Sequence, residues 1–366
     1  MNEIACYIHV PFCASKCPYC DFYSLSGNAL RCDASQVAAY VNRCVELLFR
    51  EKRRRWKTLY LGGGTPSVLP PTLLEDLLAA ARERLVPGAE VTVECNPSGV
   101  TPEFCGVLAA NGVNRVSMGL QSIVPQELTA LGRSAGPDQI LSALACIRAV
   151  GIRDISLDVM LGIPRQSIES LEETLTFCAD SGATHVSAYL LKIEEGTPFG
   201  ARAPDDLPDE DAQAALYLLC CERLEAMGYR QYEISNFALP GHESRHNLAY
   251  WRCEEYFALG PAAHGFCCLD REQEERHEPH RWHYPRDLDY FLRGGAPIDD
   301  GPGGDFEERA MLALRLSEGL KNPPLDMLTK ARRFEKLGLL VMEEQGIRLT
   351  PQGFLVSNWV IGGLLG

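Results

Sequence analysis

The sequence is short of positive charge and of long apolar runs. Its 35 lysines and arginines face 49 aspartates and glutamates, which gives a formal net charge of -14 over 366 residues. Because a nucleic-acid-binding surface needs a basic footprint, this balance argues against nucleic acid as a partner. No apolar run is long enough to span a membrane, and no signal-peptide-like segment follows Met1. We therefore expect a cytoplasmic protein without a transmembrane segment.

Cysteine is plentiful, and three of the 15 cysteines stand close together. Cys13, Cys17 and Cys20 form a C-x3-C-x2-C pattern just after a short apolar run. Thiolates favour iron–sulfur clusters, zinc or cuprous copper. A structural zinc site needs a fourth protein ligand, but Phe22 stands where that ligand would be expected. The pattern therefore favours a four-iron cluster with one open iron, and the alternatives are zinc or buried structural cysteines.

Short apolar, β-branched runs alternate with amphipathic stretches through the first two-thirds of the chain. The predicted strands are 4–10, 58–61, 90–94, 115–119, 154–160 and 185–190, and the predicted helices lie near 35–50, 72–85, 102–111, 137–150, 168–181 and 209–227. Six β/α units in series imply a parallel sheet with right-handed crossovers. We predict an α/β fold, in which residues 1–235 form a partial (β/α)6 TIM-like barrel.

The pattern changes after residue 235. Residues 236–300 are rich in glycine, proline, histidine and aromatics with a weak 3.6-residue period, which predicts irregular structure closing the barrel mouth. Residues 301–366 return to helical patterns. The elements predicted there are helices at 307–316, 325–337 and 351–365, with a hairpin formed by 339–341 and 347–349. This order is typical of a mostly helical, winged-helix-like domain, and no basic face accompanies it.

Polar side chains recur where the predicted strands end. After or late in successive strands come Cys13 to Cys20, Gly62 to Thr65, Glu94 with Asn96, Gln121 with Ser122, Asp158, and Lys192 with Glu194. Because ligands bind at the C-terminal ends of parallel strands, we expect one composite site.

Two of these features have a specific chemistry. The GGGTP run at 62–66 can approach a ligand closely, since glycine has no Cβ, and it offers backbone N–H groups; a tight turn is the alternative. Glu94 and Asp158 end apolar strands, and a buried carboxylate needs a partner or a function. The alternative for these acids is a salt bridge to Arg115 or Arg133.

The stretch YIHVPFCASKCPYCDF, residues 7–22, resembles the radical SAM superfamily, in which S-adenosylmethionine binds the open iron of a [4Fe-4S] cluster. Its flanking residues are similar to the oxygen-independent coproporphyrinogen III oxidase branch. The resemblance implies that the cluster ligands are Cys13, Cys17 and Cys20, and that S-adenosylmethionine is contacted by Tyr7, Gly63, Gly64, Thr65, Glu94, Gln121, Arg133 and Asp158. One departure is Ala135, which replaces the histidine of the family's LGR-x-H pattern.

A second motif, HNLAYW at 246–251, combines a possible iron ligand with flat aromatic rings. From the residues alone, a packed aromatic cluster is the simpler interpretation. The motif, together with GPAAHGF around His264 and LVSNWVIGGLL near the end, resembles the HemW family of heme chaperones. The resemblance implies heme binding by His246, Asn247, Tyr250 and Trp251. It also implies transfer of heme to acceptor hemoproteins, including membrane-associated respiratory enzymes.

Two functions fit this resemblance. The first is a heme chaperone that carries a [4Fe-4S] cluster, S-adenosylmethionine and heme. The alternative is an oxygen-independent coproporphyrinogen III dehydrogenase, which performs a radical oxidative decarboxylation in porphyrin biosynthesis. The chaperone is favoured because Phe22 stands where the oxidases have a fourth cysteine, because HNLAYW is present, and because we expect no N-terminal extension before Tyr7. A cluster-bearing structural or regulatory protein would not explain the cofactor-site pattern.

Overall fold

The computed structural model describes residues 2–26 and 34–366. Its strands, numbered in chain order, are β1 (Asn2–Val10), β2 (Phe12–Cys13), β3 (Leu25–Ser26), β4 (Arg54–Gly63), β5 (Leu85–Cys95), β6 (Arg115–Gln121), β7 (Asp154–Leu161), β8 (His185–Leu190), β9 (Arg230–Glu233), β10 (Asn236–Ala238), β11 (Tyr256–Leu259), β12 (His264–Cys267), β13 (His280–His283), β14 (Ile298–Pro302), β15 (Leu320–Lys321), β16 (Leu340–Glu343) and β17 (Gly346–Leu349). The chain has an α/β fold, and the six predicted strands are all present as β1, β4, β5, β6, β7 and β8.

The helices are α1 (Ala34–Arg50), α2 (Pro71–Arg82), α3 (Pro102–Ala110), α4 (Pro125–Ala130), α5 (Pro137–Ala149), α6 (Ile168–Asp180), α7 (Pro198–Ala201), α8 (Glu210–Ala226), α9 (Arg245–Trp251), α10 (Arg271–Arg276), α11 (Leu288–Leu292), α12 (Phe306–Ala313), α13 (Leu325–Lys336), α14 (Pro351–Leu355) and α15 (Ser357–Leu365). Proline at the first helical position starts several of them, because its missing N–H would have no partner there. Helix α3 begins as the sequence predicts, with Pro102 in its first turn and Thr101 Oγ1 accepting a hydrogen bond from Phe104 N at 3.1 Å.

The chain divides into two compact units, each built from several segments. The first runs to Asp158 and adds Lys192–Pro204 and Glu254–Gly303. Its strands follow the order β14-β13-β12-β11-β1-β4-β5-β6, with β7 next. The pairs β11/β1, β1/β4, β4/β5 and β5/β6 are parallel, which confirms the predicted parallel sheet in this unit. The curvature of a partial barrel stays a prediction, as does the division at 235 and 300.

Residues 236–300 differ from the expected irregular structure. They contain β10 to β13 and the start of β14, and strands β12, β13 and β14 pair antiparallel beside β11. Each of these strands is only three to five residues long. Such short strands barely show a period of two, and the glycines, prolines and histidines between them mask it further. The strands carry His264 and His283 to directly opposite positions.

The second unit comprises Val159–Leu191, Asp205–Cys253 and Gly304–Gly366. Here β8, β10 and β9 form an antiparallel group, and a separate sheet has the order β15-β17-β16. Helix α13 followed by the β16–β17 hairpin matches the predicted winged-helix-like arrangement. The single last helix predicted over 351–365 is instead two helices, because Val356 leaves the helical region at φ -113° and ψ 27°. Within residues 2–26 and 34–366, no helix is both long and apolar enough to cross a bilayer.

Candidate cluster and cofactor site

The three clustered cysteines lie on one short segment of the first unit. Cys13 ends β2, and Cys17 and Cys20 lie on the loop that joins β2 to β3. These two strands pair in parallel, with Cys13 opposite Ser26, so both ends of the loop are fixed. Inside the loop, Cys20 N donates to Cys17 O at 3.2 Å and closes a tight turn. All three thiols are half-buried. Phe22, just past the last cysteine, is 67% exposed and packs into no core.

Contacts from distant segments hold this loop in place. Phe199 N donates to Pro18 O at 3.0 Å, and Arg286 donates to Asp21 O at 2.5 Å. His9 Nε2 and the Tyr23 carbonyl oxygen lie 2.8 Å apart. Burial raises the pKa of the Cys20 thiol, and the nearby sulfurs of Cys17 and Cys13 raise it further. The loop therefore holds three half-buried thiols on one short segment.

A chain of polar contacts runs from the cysteine loop across the strand ends. Cys13 Sγ lies 3.5 Å from Thr65 Oγ1, and Asn96 Nδ2 donates to the same hydroxyl at 3.4 Å. Arg133 Nη1 in turn donates to Asn96 Oδ1 at 3.0 Å. The predicted cofactor residues Thr65 and Arg133 are thus connected through Asn96, which the sequence analysis placed at a strand end without a specific role.

The glycine run makes its hydrogen bonds to the protein. Gly64 N donates to Val10 O and Thr65 N to Phe12 O, both at 2.8 Å, while Gly63 N donates to Glu94 Oε2 at 3.1 Å. The sequence predicts that these N–H groups face a ligand, but in the structure they donate to the protein and fix the segment that leads to Cys13. The loop can therefore meet a ligand through the Thr65 hydroxyl and carbonyl oxygens, which are acceptors.

Two carboxylates, Glu94 on β5 and Asp158 on β7, lie late in strands that flank β6 in the sheet. Glu94 accepts from Tyr60 Oη at 2.7 Å and from the Gly63 N–H, so the arginine partner considered from the sequence is replaced by a tyrosine. Asp158 accepts from Ser117 Oγ at 2.9 Å. Desolvation raises the pKa of Glu94 to about 7, and the nearby Asp158 contributes to that shift. Two acids that act on one another electrostatically favour a cationic ligand.

Tyr7 and Gln121 are the remaining predicted S-adenosylmethionine contacts, and both lie in the first unit. The ring of Tyr7 lies 6.2 Å from that of Tyr60, and burial followed by the charge of Glu94 raises the pKa of Tyr7. Gln121 is buried and has a φ of 67°, which is uncommon for a residue with a Cβ. Such strained conformations cluster at functional sites. Lys192 and Glu194, in contrast, form an exposed ion pair with each other at 2.6 Å.

His9 is the main contributor that the sequence analysis missed. It is buried in β1, its Nδ1 lies 3.0 Å from Tyr7 Oη, and its ring fills the space that a Cβ on Gly63 would need. Burial lowers the pKa of His9. In the sequence, a single histidine inside an apolar run suggests a core residue, and the only sign of its role is its place between Tyr7 and the cysteines.

The raised pKa of Glu94 predicts a pH dependence of stability. Between about pH 4.5 and 7 the folded protein keeps a proton that the unfolded chain has lost, so the free energy of unfolding falls as pH rises through that window. The effect is at most about 3 kcal/mol. Glu94→Gln should flatten this part of the profile in urea unfolding without cofactors, whereas replacing the exposed Glu75 of α2 should leave it unchanged. An unaltered slope in Glu94→Gln would contradict the assignment.

The proposed heme residues lie in the second unit, on the short helix α9. His246 is 1% exposed, its Nε2 shares a hydrogen bond of 2.8 Å with Tyr250 Oη, and the two rings are 4.7 Å apart. Ser244 caps the helix by accepting from Asn247 N at 3.3 Å. The ring nitrogen that would bind iron is thus engaged with a residue of the same motif. Heme ligation by His246 stays a prediction that requires this bond to open.

Comparison with known proteins first identifies the superfamily to which the chain is similar. Residues 7–178 match the model of the Radical SAM superfamily. The solved structure titled "Coproporphyrinogen III oxidase (HemN) from Escherichia coli is a Radical SAM enzyme" superposes with a TM-score of 0.80 at 19% identity, covering 99% of this chain and 90% of that one. This likeness shows the fold, which is that of a radical SAM protein.

The curated relatives narrow the class. The protein "Heme chaperone HemW" of Mycobacterium tuberculosis (strain H37Rv) is 34% identical over 98% of this chain and 94% of its own length. The protein of the same name from Escherichia coli (strain K12) is 39% identical, covering 72% and 70%. The chain therefore belongs to the HemW family of the radical SAM superfamily. Membership in that superfamily implies a [4Fe-4S] cluster and S-adenosylmethionine, and the cysteine loop has the donor set that such a cluster needs.

Proposed function

We propose that this protein is a heme chaperone, which binds heme and transfers it to acceptor hemoproteins. The single observation that supports this most is the 34–39% identity to proteins named heme chaperone HemW. The first unit would hold a [4Fe-4S] cluster and S-adenosylmethionine, and the second unit would bind heme. We also propose that the protein works in the cytoplasm, where reducing conditions keep the cluster thiols available, and that its acceptors include membrane-associated respiratory enzymes.

The proposed ligands of the cluster are Cys13, Cys17 and Cys20. A cluster held by three thiolates supplies one open iron to which S-adenosylmethionine can bind. The Thr65 hydroxyl, 3.5 Å from Cys13 Sγ, can donate to that sulfur, and such hydrogen bonds tune a cluster's potential. This role would couple the glycine run to the metal centre.

S-adenosylmethionine carries an ammonium, a sulfonium and a carboxylate, and the polar groups of the first unit suit each of them. The proposed contacts are Tyr7, Gly63, Gly64, Thr65, Glu94, Gln121, Arg133 and Asp158. An ammonium needs acceptors, and the glycine run can offer the Thr65 hydroxyl and backbone carbonyl oxygens. Its N–H groups at Gly63, Gly64 and Thr65 are bound within the protein. Glu94 and Asp158 place negative charge nearby, and Arg133 is the cation available for a carboxylate.

The decisive experiment compares heme transfer with decarboxylation. Anaerobically reconstituted protein, given reductant, S-adenosylmethionine and coproporphyrinogen III, should form no protoporphyrinogen. The same protein should develop a Soret band on addition of heme and pass the heme to an apo-hemoprotein. Accumulation of protoporphyrinogen would overturn the proposal in favour of a coproporphyrinogen III dehydrogenase.

The heme site has its own prediction, which rests on the bond between His246 and Tyr250. His246→Ala should weaken heme binding by at least about tenfold, because a lost iron ligand costs more than about 1.4 kcal/mol. Tyr250→Phe keeps the ring and removes the hydroxyl that competes for Nε2, so heme affinity should be retained or increased. Titration of heme followed at the Soret band measures both. Equal loss in the two variants would show that Tyr250, and not His246 alone, supplies the ligand atom.

A further inference from the structure

A second group of metal-binding side chains lies in the first unit, on the antiparallel strands β12, β13 and β14. It consists of His264, His283 and Asp300, whose ligand atoms all lie within 4.8 Å of one another. His264 and His283 stand directly opposite each other across the β12–β13 pair, and their rings stack with centroids 5.3 Å apart. None of the three belongs to the cysteine loop or to the proposed cofactor contacts.

The geometry is close to what a four-coordinate ion requires. Zn²⁺ binds imidazole nitrogen and carboxylate oxygen at about 2.0–2.2 Å, so neighbouring ligand atoms of a tetrahedral site are separated by roughly 3.4 Å. His283 Nδ1 and the Asp300 carboxylate are already 2.8 Å apart, and the third ligand is within reach by side-chain rotation. Antiparallel pairing fixes the two histidine Cβ atoms at about 5 Å, so the backbone needs no change.

We propose that His264, His283 and Asp300 bind a divalent transition-metal ion, with Zn²⁺ the best match. Imidazole nitrogens select transition metals over magnesium and calcium, and two histidines with one carboxylate leave a coordination position open. The ion takes the place of the proton that now lies between His283 Nδ1 and Asp300. Its three residues are not among those proposed to bind the cluster, S-adenosylmethionine or heme.

The surrounding charges set the strength of binding. Arg281, on β13, adds positive charge near His264, and Asp300 adds negative charge. Asp299, adjacent to Asp300, adds negative charge and accepts from His280 Nδ1 at 2.7 Å. The His280–Asp299 pair resembles the His283–Asp300 pair in its chemistry but lacks a second histidine, and so provides a matched control.

The test measures Zn²⁺ binding to the anaerobically reconstituted protein, in which the cluster occupies the three thiols, in competition with a chromophoric chelator. One Zn²⁺ per chain is expected in addition to the cluster iron. His264→Ala and His283→Ala should each reduce the affinity more than about tenfold, and Asp300→Asn should do so as well. His280→Ala should have no effect. Circular dichroism and iron content of each sample separate a folding or cluster defect from loss of the ion.

Two results would overturn the proposal. One is wild-type protein that binds Zn²⁺ no more tightly than His264→Ala, and the other is a loss in His280→Ala equal to that in His283→Ala. Failure of the cluster to form would count against the proposed function but not against the zinc site. The zinc site can then be tested in a variant with Cys13, Cys17 and Cys20 all replaced by alanine, which lacks the competing thiols. In that background the same four substitutions still decide whether the zinc site exists.

Discussion

Replacing Cys13, Cys17 or Cys20 with alanine is expected to reduce the iron and acid-labile sulfide of the reconstituted protein to near zero. Each thiolate of a three-cysteine site binds a different iron, so the loss of one leaves a second iron open. The broad visible absorbance of the cluster should vanish with the iron. The fixed loop supports this expectation, because β2 and β3 hold both of its ends.

The matched control is Cys146→Ala. Cys146 lies on α5, is half-buried like the three loop cysteines, and interacts with Cys105. Its removal should leave iron content and absorbance unchanged. An unchanged spectrum after any one of the three loop substitutions would show that the ligand set is wrong. Anaerobically purified wild-type protein that contains zinc and takes up neither iron nor sulfide would contradict the cluster itself.

Much of this site could be predicted because parallel strands bring their C-terminal ends to one edge of a sheet. Thr65, Glu94 and Asp158 are predicted to share one composite site because they come after or late in predicted strands. In the structure Thr65 Oγ1 lies 3.5 Å from Cys13 Sγ, and the charge of Asp158 acts on Glu94. The roles of His9 and Asn96 could not be predicted. Their importance depends on register between β1, β4 and β5, and a sequence pattern does not determine register.

The short strands were harder to predict for a related reason. Strands β11 to β14 are four or five residues long, and the group joins the sheet through the pairing of β11 with β1, which lies far away along the chain. A period of two over four residues is indistinguishable from chance, so only the fold reveals them. The His264–His283 pair is invisible in the sequence for the same reason, since 18 residues lie between its members and the β12–β13 register alone brings them together.

A second large loss, of both stability and cluster content, is expected from the substitution Gly64→Ala in the glycine run. A Cβ on Gly64 would lie 2.6 Å from the carbonyl oxygens of both Val10 and Phe12. Backbone atoms cannot rotate away as a side chain can, so Gly64→Ala must displace the segment that leads to Cys13. Overpacking of this kind costs about 3 kcal/mol or more. Denaturant unfolding should show that loss, and the iron content after reconstitution should fall with it.

Gly63→Ala is expected to combine two costs, the backbone strain of a positive φ and a clash with the His9 ring. Gly88 is a matched glycine at which only the first cost arises. Gly63 has a φ of +99°, and its Cβ would lie 2.3 Å from the His9 ring, whereas Gly88 has a φ of +73° with nothing within 4 Å. Gly88→Ala should therefore cost only the backbone strain, about 1–2 kcal/mol, and leave the cluster intact. Gly63→Ala should cost clearly more and weaken S-adenosylmethionine binding, because it pushes His9 away from Tyr7. Equal losses in the two variants would mean that His9 yields freely and that the close packing around Gly63 has no part in building the site.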